Sequence, residues 1–324
     1  IFNKSIEGIE KSDLIILIGT NPRFEATILN ARIRKAYLKN KTKIYSFGDI
    51  GDLTYPYEEI QNSTEIISEI VKNKHNLSKM ISSSKDPVII LGQSALKSSS
   101  GAYIFEELKK YLENIDKDFS SLNILSTNAS MVGSYDLGVF STNNGSNSAL
   151  KKIENNDADL IFLIGQDNLK INKKKEFIIY IGSHGDKGAE VADIILPGAA
   201  YTEQDGYFTN LEGKLQKAYK ASYPPGEAKE DWQVINELAD TISGKKLFKN
   251  KDELENTLIN YLNLSENNFS QNENKDTKDL IFLNEKIEIK NFDYYYSNSI
   301  ARASKTMFKC RNEKNKLKLT GTEG

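Results

Sequence analysis

Short apolar runs that alternate with segments of helical periodicity constrain the fold of this chain more than any other feature of its sequence. The first run, at 13–18, leads through a turn at 19–23 into a helical segment at 24–38, and the next run follows at 43–47. A strand, a tight turn, a helix and a second strand in this order form a βαβ unit. Nearly continuous apolar runs are typical of parallel strands that are buried on both faces.

The same alternation continues over most of the chain. Further strands are predicted from apolar runs at 87–92, 122–125, 160–165 and 177–182. Further helices are predicted from the spacing of apolar residues at 65–71, 104–112, 230–242 and 252–262. The pattern therefore predicts an α/β fold with doubly wound, mostly parallel sheets, either one sheet or two within a single chain.

The most irregular part of the sequence is the stretch at 184–216, which reads HGDKGAEVADIILPGAAYTEQDGYFTNLEGKLQ. It contains an apolar strand predicted at 191–197, which ends in proline because that residue has no N–H to continue a ladder. Three small residues follow at 198–200, and they predict a close approach of two backbone segments. The polar and turn residues beyond them, Glu203 and Asn210 among them, predict a loop whose backbone groups bond to side chains.

The few metal-binding side chains limit the redox chemistry of this chain. An iron–sulphur cluster needs about four thiolate ligands, or thiolates with histidines. The sequence contains one cysteine, Cys310, and two histidines, His75 and His184, all far apart along the chain. We therefore predict no metal site and no internal disulfide, and we expect Cys310 to pack as a small hydrophobic residue.

Charge and hydropathy exclude two further classes of protein. Lys and Arg number 43 against 45 Asp and Glu, so the formal net charge is −2 and indicates neither nucleic acid nor an anionic membrane surface as a partner. No apolar run reaches the roughly 18 residues that a membrane span requires. The sequence therefore predicts no nucleic-acid binding and no direct membrane span.

One phrase within the irregular stretch, ADIILPGAAYTEQDGYFTNLEGKLQ at 192–216, resembles the signature loop of the molybdopterin-oxidoreductase superfamily. Within it, the chain is most similar to the large iron–sulphur subunits of respiratory complex I, the NADH:ubiquinone oxidoreductase. Further matching phrases stand in the family's order: ILIGTNPRFEATILNARIRKAYL (16–38), DLTYPYE (52–58), PVIILGQSAL (87–96), YPPGEAKEDWQVINELA (223–239) and YSNSIARASKTMFKC (296–310). Together these phrases are distributed over nearly the whole chain, from residue 16 to residue 310.

The resemblance implies a molybdopterin-oxidoreductase-like α/β body at 1–220 and a helical continuation at 221–262. Residues 263–279 are polar and rich in asparagine, which is typical of a linker or a disordered loop. The irregular C-terminal segment at 280–324 is expected to pack on the body or on a partner. It contains Arg302 and Ser304, which resemble the family's C-terminal motif, and we interpret Arg302 with Lys305 and Lys309 as a solvated helix face.

The turn at 19–23 is the first candidate site, because the carboxyl end of a strand is where an α/β sheet offers a ligand crevice. Backbone amides at a helix N-terminus attract phosphate, and Arg23 is suited to clamp it. In molybdopterin enzymes a similar G-x-N-P turn lies against the nucleotide end of the cofactor. The competing interpretation is a helix cap by Thr20 or Asn21, which we favour because the relatives in complex I are understood to have lost the molybdenum cofactor.

The remaining candidates are isolated polar side chains. His184 follows a strand without a second ligand nearby, which favours a structural hydrogen bond over catalysis. Paired carboxylates can perform acid–base chemistry, but the resemblance implies that Glu203, Asp205 and Glu212 accept hydrogen bonds from backbone amides. We therefore assign no catalytic, metal-binding or cofactor-binding residue. The candidates for a relict pocket are Asn21, Arg23, His184, Glu203 and Asn210.

The resemblance implies a structural role in the peripheral arm of complex I, on the matrix side of the mitochondrial inner membrane. The chain would not be an enzyme by itself. It would support electron transfer from NADH to ubiquinone in a proton-translocating complex, with FMN and iron–sulphur clusters on partner chains. The expected partners are other peripheral-arm subunits and a cysteine-rich iron–sulphur half of the same subunit. That half is either a separate chain or a part removed from a longer protein.

Two alternatives remain open at the level of sequence. The first is a catalytic fragment of a molybdenum- or tungsten-dependent pterin oxidoreductase such as a formate dehydrogenase. It would bind a pterin dinucleotide at 19–23 and at 184–216. The second is a free-standing nucleotide-binding module.

Overall fold

A computed structural model of the chain describes residues 2–115, 120–139, 149–167, 169–268, 280–290 and 293–319. The strands in these ranges are β1 (Leu14–Ile18), β2 (Lys43–Phe47), β3 (Glu58–Ile60), β4 (Pro87–Gly92), β5 (Leu122–Leu125), β6 (Leu160–Ile164), β7 (Phe177–Gly182), β8 (Ile194–Pro197), β9 (Gly206–Thr209) and β10 (Leu215–Ala218). The helices are α1 (Pro22–Glu25), α2 (Thr27–Asn40), α3 (Thr64–Val71), α4 (Asn76–Ser83), α5 (Gln93–Leu96), α6 (Gly101–Glu113), α7 (Met131–Asp136), α8 (Ala149–Glu154), α9 (Lys187–Val191), α10 (Asp231–Ser243), α11 (Lys251–Asn268), α12 (Ser299–Ala303) and α13 (Lys305–Leu319).

The chain divides into two compact units, and each is discontinuous in sequence. The first unit consists of Ile1–Asp136, Phe208–Gln216 and Phe269–Phe292, and the rest of the chain forms the second. These units are defined by tertiary contacts. The boundaries predicted near 220, 262 and 279 instead divide the chain into consecutive segments, and they stay predictions. Helix α11 continues to Asn268, so the first six residues of the predicted linker are helical, and 269–279 lie outside the described residues.

A five-stranded parallel sheet forms the centre of the first unit, in the order β3-β2-β1-β4-β5. Strand β1 lies between β2 and β4, so the chain winds outward from it in both directions. Every residue of β1 and of β4 is buried, as their continuous apolar sequences require. The predicted α/β class with doubly wound, mostly parallel sheets is confirmed.

Helices cover both faces of this sheet because the side chains of a strand alternate between faces. On one face Ile16 packs in a cluster with Ile67 of α3 and Ile104 of α6. On the other face Ile15 packs in a cluster with Ile33 of α2. The two clusters form a three-layer α/β/α arrangement in which β1 is buried on both sides.

The second unit contains a three-stranded parallel sheet in the order β6-β7-β8. One face packs into a small core that includes Leu163, Ile178 and Tyr180. Strand β8 begins at Ile194, so the prediction of a strand from residue 191 was wrong. Asp186 caps α9, which ends at Val191, and Ala192 and Asp193 connect this helix to the strand.

Much of the opposite face of the three-stranded sheet is open, although Ile181, which the register also places on that face, is 1% exposed. The strand register places five large apolar side chains on it, each between 41% and 53% exposed: Leu160, Phe162, Ile164, Phe177 and Ile194. Parallel sheets are normally covered on both faces. The sheet of the first unit is covered in this way, whereas this sheet is not. Among the described helices, none has the length and apolarity that a membrane crossing would need.

Glu10 anchors α2 to the start of the first unit. It lies in the 3₁₀ turn Gly8–Lys11, and its carboxylate accepts hydrogen bonds from Arg32 and, at 3.0 Å, from Lys39 Nζ. The hydrogen bonds from Arg32 and Lys39 lower the pKa of Glu10 to about 2. The carboxylate therefore stays charged in the folded chain at pH values where an unfolded chain would protonate it.

This shift predicts a specific acid dependence of stability. A free glutamate protonates near pH 4, so Glu10 stabilises the folded chain above that pH, and its contribution is lost as the pH falls from about 4 to about 2. We expect Glu10→Gln to lack this part of the acid dependence in urea denaturation measured from pH 2 to pH 6. The control is Glu113→Gln, at an exposed i,i+4 pair on α6. Parallel pH curves for the parent and Glu10→Gln would contradict the assignment.

Candidate functional site

The candidate site in the first unit is the topological switch point of the five-stranded sheet. The strand order places it between the carboxyl ends of β1 and β4, where ligands bind in open α/β sheets. The turn at 19–23 follows β1, and β4 ends at Gly92, which leads directly into α5. Whether a ligand fits here depends on two things: the backbone amides that these two turns leave without a partner in the protein, and the space between the turns.

Asn21 acts as the cap of α1. Its Oδ1 accepts from the backbone N–H of Arg23 at 3.1 Å, and its Nδ2 donates to the Ile50 carbonyl oxygen at 2.7 Å. Pro22 occupies the first helical position, where its missing N–H costs nothing. These contacts are those of a helix cap.

The polar groups that a phosphate would use at this turn are bonded within the protein. The carboxylate of Glu25 accepts from the backbone N–H of Asn21 at 3.1 Å and from Thr20 Oγ1 at 2.8 Å. Arg23 Nη1 donates to the carbonyl oxygen of Asp52 at 2.6 Å and to its carboxylate at 2.7 Å. A carboxylate in the turn also repels a phosphate, so this turn does not suit an anionic ligand.

The space at the switch point is closed by contact between the two turns. A Cβ placed on Gly92 would overlap the carbonyl oxygen of Gly19. A Cβ on Gly19, which has φ of +61°, would lie 2.6 Å from the Ala95 backbone nitrogen and 2.9 Å from Ile287 Cγ2. These glycines let the backbones touch, and not even one methyl group fits between them.

Residues 280–290, which we call the strap, lie across the carboxyl edge of this sheet. Thr64 N–H donates to the Glu285 carbonyl oxygen at 3.0 Å, and Glu285 N–H donates to Thr64 Oγ1 at 3.0 Å. Asn62 makes a similar pair of bonds with the backbone of Ile287, at 2.9 and 3.0 Å. Ile287 is 1% exposed and belongs to the core cluster that contains β1. The strap thus completes the filling of the crevice, and the residues present do not fit a pterin dinucleotide there.

His184 lies in the second unit, in the loop after β7. Its Nδ1 is 3.0 Å from Ser183 Oγ, and its carbonyl oxygen is 2.8 Å from the Tyr180 hydroxyl. The Tyr180 hydroxyl also contacts the carboxylate of Asp167. Burial, together with this contact, raises the pKa of Tyr180 above its usual value, so the hydroxyl stays protonated. The surroundings of His184 are those of a loop residue held by local hydrogen bonds.

Arg302 reaches the same loops from helix α12. Its Nε donates to Asp186 Oδ2 at 2.5 Å, its Nη2 lies 3.8 Å from Asp167 Oδ2, and its Nη1 donates to the Tyr296 carbonyl oxygen at 3.2 Å. Its side chain is 17% exposed. The interpretation of Arg302 as part of a solvated helix face was therefore wrong, because its guanidinium bridges two carboxylates that lie far away in the sequence.

The remaining candidate side chains all accept hydrogen bonds from backbone N–H groups, some close in sequence and some distant. The three carboxylates of the irregular stretch each accept from a backbone N–H: Glu203 from Ala200 at 2.9 Å, Asp205 from Lys220 at 2.7 Å and Glu212 from Ile6 at 2.7 Å. Asn210 Oδ1 accepts from the backbone N–H groups of Glu212 and Lys214 and closes the turn between β9 and β10. These contacts agree with the loop-stabilising role that the resemblance implied.

The five relict-pocket candidates divide between the units. Asn21, Arg23 and Asn210 belong to the first unit, whereas His184 and Glu203 belong to the second. Within the ranges that the structure describes, no three His, Cys, Asp or Glu side chains are placed to hold a metal ion. The thiol of Cys310 is exposed on α13, so its prediction as a packed residue was wrong.

Sequence analysis missed the residues that fill the switch point. Ser100 and Glu285 are 185 positions apart, and Asn62 and Ile287 are 225 apart. Neither pair belongs to a motif of fixed spacing. The only local signal is the polar run Asn62-Ser63-Thr64 at the start of α3, and such a run is typical of an ordinary helix start.

Comparison with known proteins gives one family and several long relatives. The family model for molybdopterin oxidoreductase matches residues 1–241. The chain is 38% identical over 325 residues to the NADH-ubiquinone oxidoreductase 75 kDa subunit of Reclinomonas americana. It is 36% identical over 332 residues to an NADH-quinone oxidoreductase subunit from Rickettsia bellii, and 35% identical over 327 residues to the subunit of the same name from Rickettsia felis.

These similarities extend along almost the whole of this chain but along only part of each relative. The alignments cover 96%, 99% and 98% of the chain, and 46%, 47% and 47% of the three relatives in the same order. The chain thus spans about half the length of the curated relatives it matches. The resemblance read from the sequence phrases is confirmed.

The closed switch point predicts that Gly92 does not tolerate a side chain. We expect Gly92→Ala to lower the free energy of unfolding by about 1–3 kcal/mol, since the added methyl overlaps the Gly19 carbonyl oxygen. Gly185→Ala is the matched control, because its methyl would meet only Ala189 Cβ at 3.7 Å. Chemical denaturation of both variants tests the prediction. Equal midpoints for Gly92→Ala and the parent would show that the turns are not in contact.

The small residues at 198–200 predict a second overpacking effect. Gly198 N–H donates to the Gly182 carbonyl oxygen at 3.0 Å, and Ala199 N–H donates to the Lys229 carbonyl oxygen at 2.8 Å, so backbone lies on both sides. We expect Ala199→Phe to cost about 1–3 kcal/mol of stability. The control is Ala221→Phe, at an exposed alanine of the same unit. A parent-like melting temperature for Ala199→Phe would refute the close approach.

Proposed function

The chain belongs to the molybdopterin oxidoreductase family, and on that premise we propose that it is a structural part of respiratory complex I. In this role it belongs to the peripheral arm and supports electron transfer from NADH to ubiquinone without holding a redox centre. The relatives that carry the names of NADH-quinone oxidoreductase subunits support this assignment, since the similarity runs along nearly the whole chain. Proton translocation belongs to the whole complex.

The observation that carries the scaffold role is the filled switch point of the five-stranded sheet. The place where this fold type binds ligands is occupied by the Gly19 and Gly92 turns and by Ile287. A chain with one cysteine also supplies too few thiolates for an iron–sulphur cluster. Both features suit a module that contributes shape and stability, while FMN and the iron–sulphur clusters are held by partner chains.

The open face of the three-stranded sheet is the surface on which we expect a partner to pack. An exposed apolar patch on a parallel sheet marks a protein interface more often than a solvated surface. The two longest segments of this chain outside the described residues are poor candidates, because 140–148 and 269–279 each contain one phenylalanine and are otherwise polar or glycine. We propose that a cysteine-rich iron–sulphur polypeptide, corresponding to the half of the relatives that this chain does not span, covers the face.

The proposed location follows from the proposed complex. A peripheral subunit needs no membrane span of its own, and the described helices contain none. In a mitochondrial complex I the peripheral arm lies on the matrix side of the inner membrane, and we propose that position here. The other peripheral-arm subunits are the further expected partners.

Co-purification tests the partner and the face together. We expect the tagged chain, isolated from its native membranes, to bring down a cysteine-rich polypeptide with the absorbance of iron–sulphur clusters. Phe162→Asp should abolish this, because a carboxylate on the open face opposes apolar packing, yet it should leave the chain folded since Phe162 is already 41% exposed. The matched control is Ser222→Asp, at an exposed serine of the same unit.

Two results would count against the proposal. Full recovery of the partner with Phe162→Asp would remove the open face as the interface. Elemental analysis that found one molybdenum or tungsten atom per chain would favour the alternative, a catalytic fragment of a pterin-dependent oxidoreductase such as a formate dehydrogenase. The other alternative, a free-standing nucleotide-binding module, is tested by calorimetric titration with NADH, GTP and ATP. Titrations without heat of binding would count against that alternative.

A further inference from the structure

The strap places a carboxylate at the start of helix α6. Glu285 Oε1 accepts from the backbone N–H of Ser100 at 2.8 Å, immediately before the 13-residue helix α6. Amides and dipole at a helix N-terminus attract negative charge, whether it comes from a bound phosphate or from a side chain. In this chain the negative charge at α6 is covalently part of the protein.

The strap is held from both sides of the crevice. On the α3 side, Ser63 Oγ is 2.8 Å from Asn284 Oδ1, and Thr64 Oγ1 lies 2.5 Å from the Leu283 carbonyl oxygen. On the α6 side, Leu283 N–H donates to Ser100 Oγ at 2.9 Å. The strap therefore links the start of α3 to the start of α6, as a bound ligand links the elements around it.

The second unit shows an independent example at the carboxyl ends of β6 and β7. Asp167 and Asp186 lie in the loops after these strands, and Arg302 from the C-terminal segment bridges them. Although burial alone would raise it, the hydrogen bonds from Arg302 and from the Lys187 N–H lower the pKa of Asp186. A Cβ at Gly188 would lie 2.5 Å from the Gln166 carbonyl oxygen and 3.1 Å from the Tyr180 ring, so little space is left between the loops.

We propose that the C-terminal segment is a built-in replacement for a ligand, with the strap filling the carboxyl edge of the five-stranded sheet and Arg302 bridging the carboxyl-end loops of the three-stranded sheet. In the first unit the replacement brings an apolar side chain, Ile287, and a carboxylate, Glu285. In the second unit it brings a guanidinium that pairs with two carboxylates. Each unit is complete without a small molecule.

This inference concerns the isolated chain and does not depend on membership of complex I. Because the group that fills the switch point is part of the chain itself, nucleotides and pyrophosphate-containing cofactors cannot bind there while the strap stays in place. The segment also contributes to folding by an intramolecular contact whose strength is independent of ligand concentration. Failure of the partner experiment above would therefore leave this proposal intact.

Hydrogen–deuterium exchange of the full chain tests both halves of the proposal. Glu285→Ala should raise exchange at the Ser100 amide by about tenfold, the factor expected for losing one charge-assisted hydrogen bond. Exchange in β6 to β8 should stay unchanged. Arg302→Ala should raise exchange over 182–188 and leave the first unit unchanged. Glu285→Gln, which keeps the shape of the side chain, gives a smaller effect.

The chain offers a matched control for each variant. Glu288→Ala removes an exposed carboxylate of the same strap, and Lys305→Ala removes an exposed cation close to Arg302. Both should exchange like the parent. Parent-like exchange at Ser100 in Glu285→Ala, or over 182–188 in Arg302→Ala, would overturn the proposal for that unit. Protection of the Ser100 amide of the parent by inorganic pyrophosphate or GDP would overturn the exclusion of ligands from the first unit.

Discussion

The contact between the Gly19 turn and the Gly92 turn is the constraint on which the first unit depends. It joins the carboxyl ends of the two central strands, β1 and β4, without space for a side chain. Both strands are buried along their whole length, and the carboxyl ends of such strands at a switch point are where open α/β sheets bind ligands. Closing it turns a sheet topology that usually binds ligands into a packed core.

The closed turns also determine which charged and polar groups lie at the carboxyl edge of the sheet. The backbone N–H groups of a turn and a helix start need acceptors once water is excluded. Glu25 and Asn21 serve the first turn, and Glu285 serves the start of α6. Because these acceptors are protein side chains, the negative charge that a cofactor would bring is already present, and a second anion at this edge would be repelled.

The sequence was informative wherever structure depends on near neighbours along the chain. Apolar runs located β1, β2 and β4 to within a residue or so, because a strand buried on both faces has to be apolar throughout. The helix cap at Asn21 could be predicted because Pro22 follows it directly, and a proline at the first helical position is again a local signal. Reading failed at Val191, which ends the helix α9 that Asp186 caps, and at Arg302 and Cys310, whose exposure depends on what packs around α12 and α13.

By itself the sequence determined the class of fold, the family resemblance and the shortage of metal ligands, because these depend on local periodicity, on ordered phrases and on composition. Only the tertiary structure decided that the switch point is filled, that the strap supplies the filling and that Arg302 bridges Asp167 and Asp186. The physical reason is the distance along the chain. Contacts between residues more than seventy positions apart form through packing and desolvation, and those forces leave no fixed spacing in a single sequence.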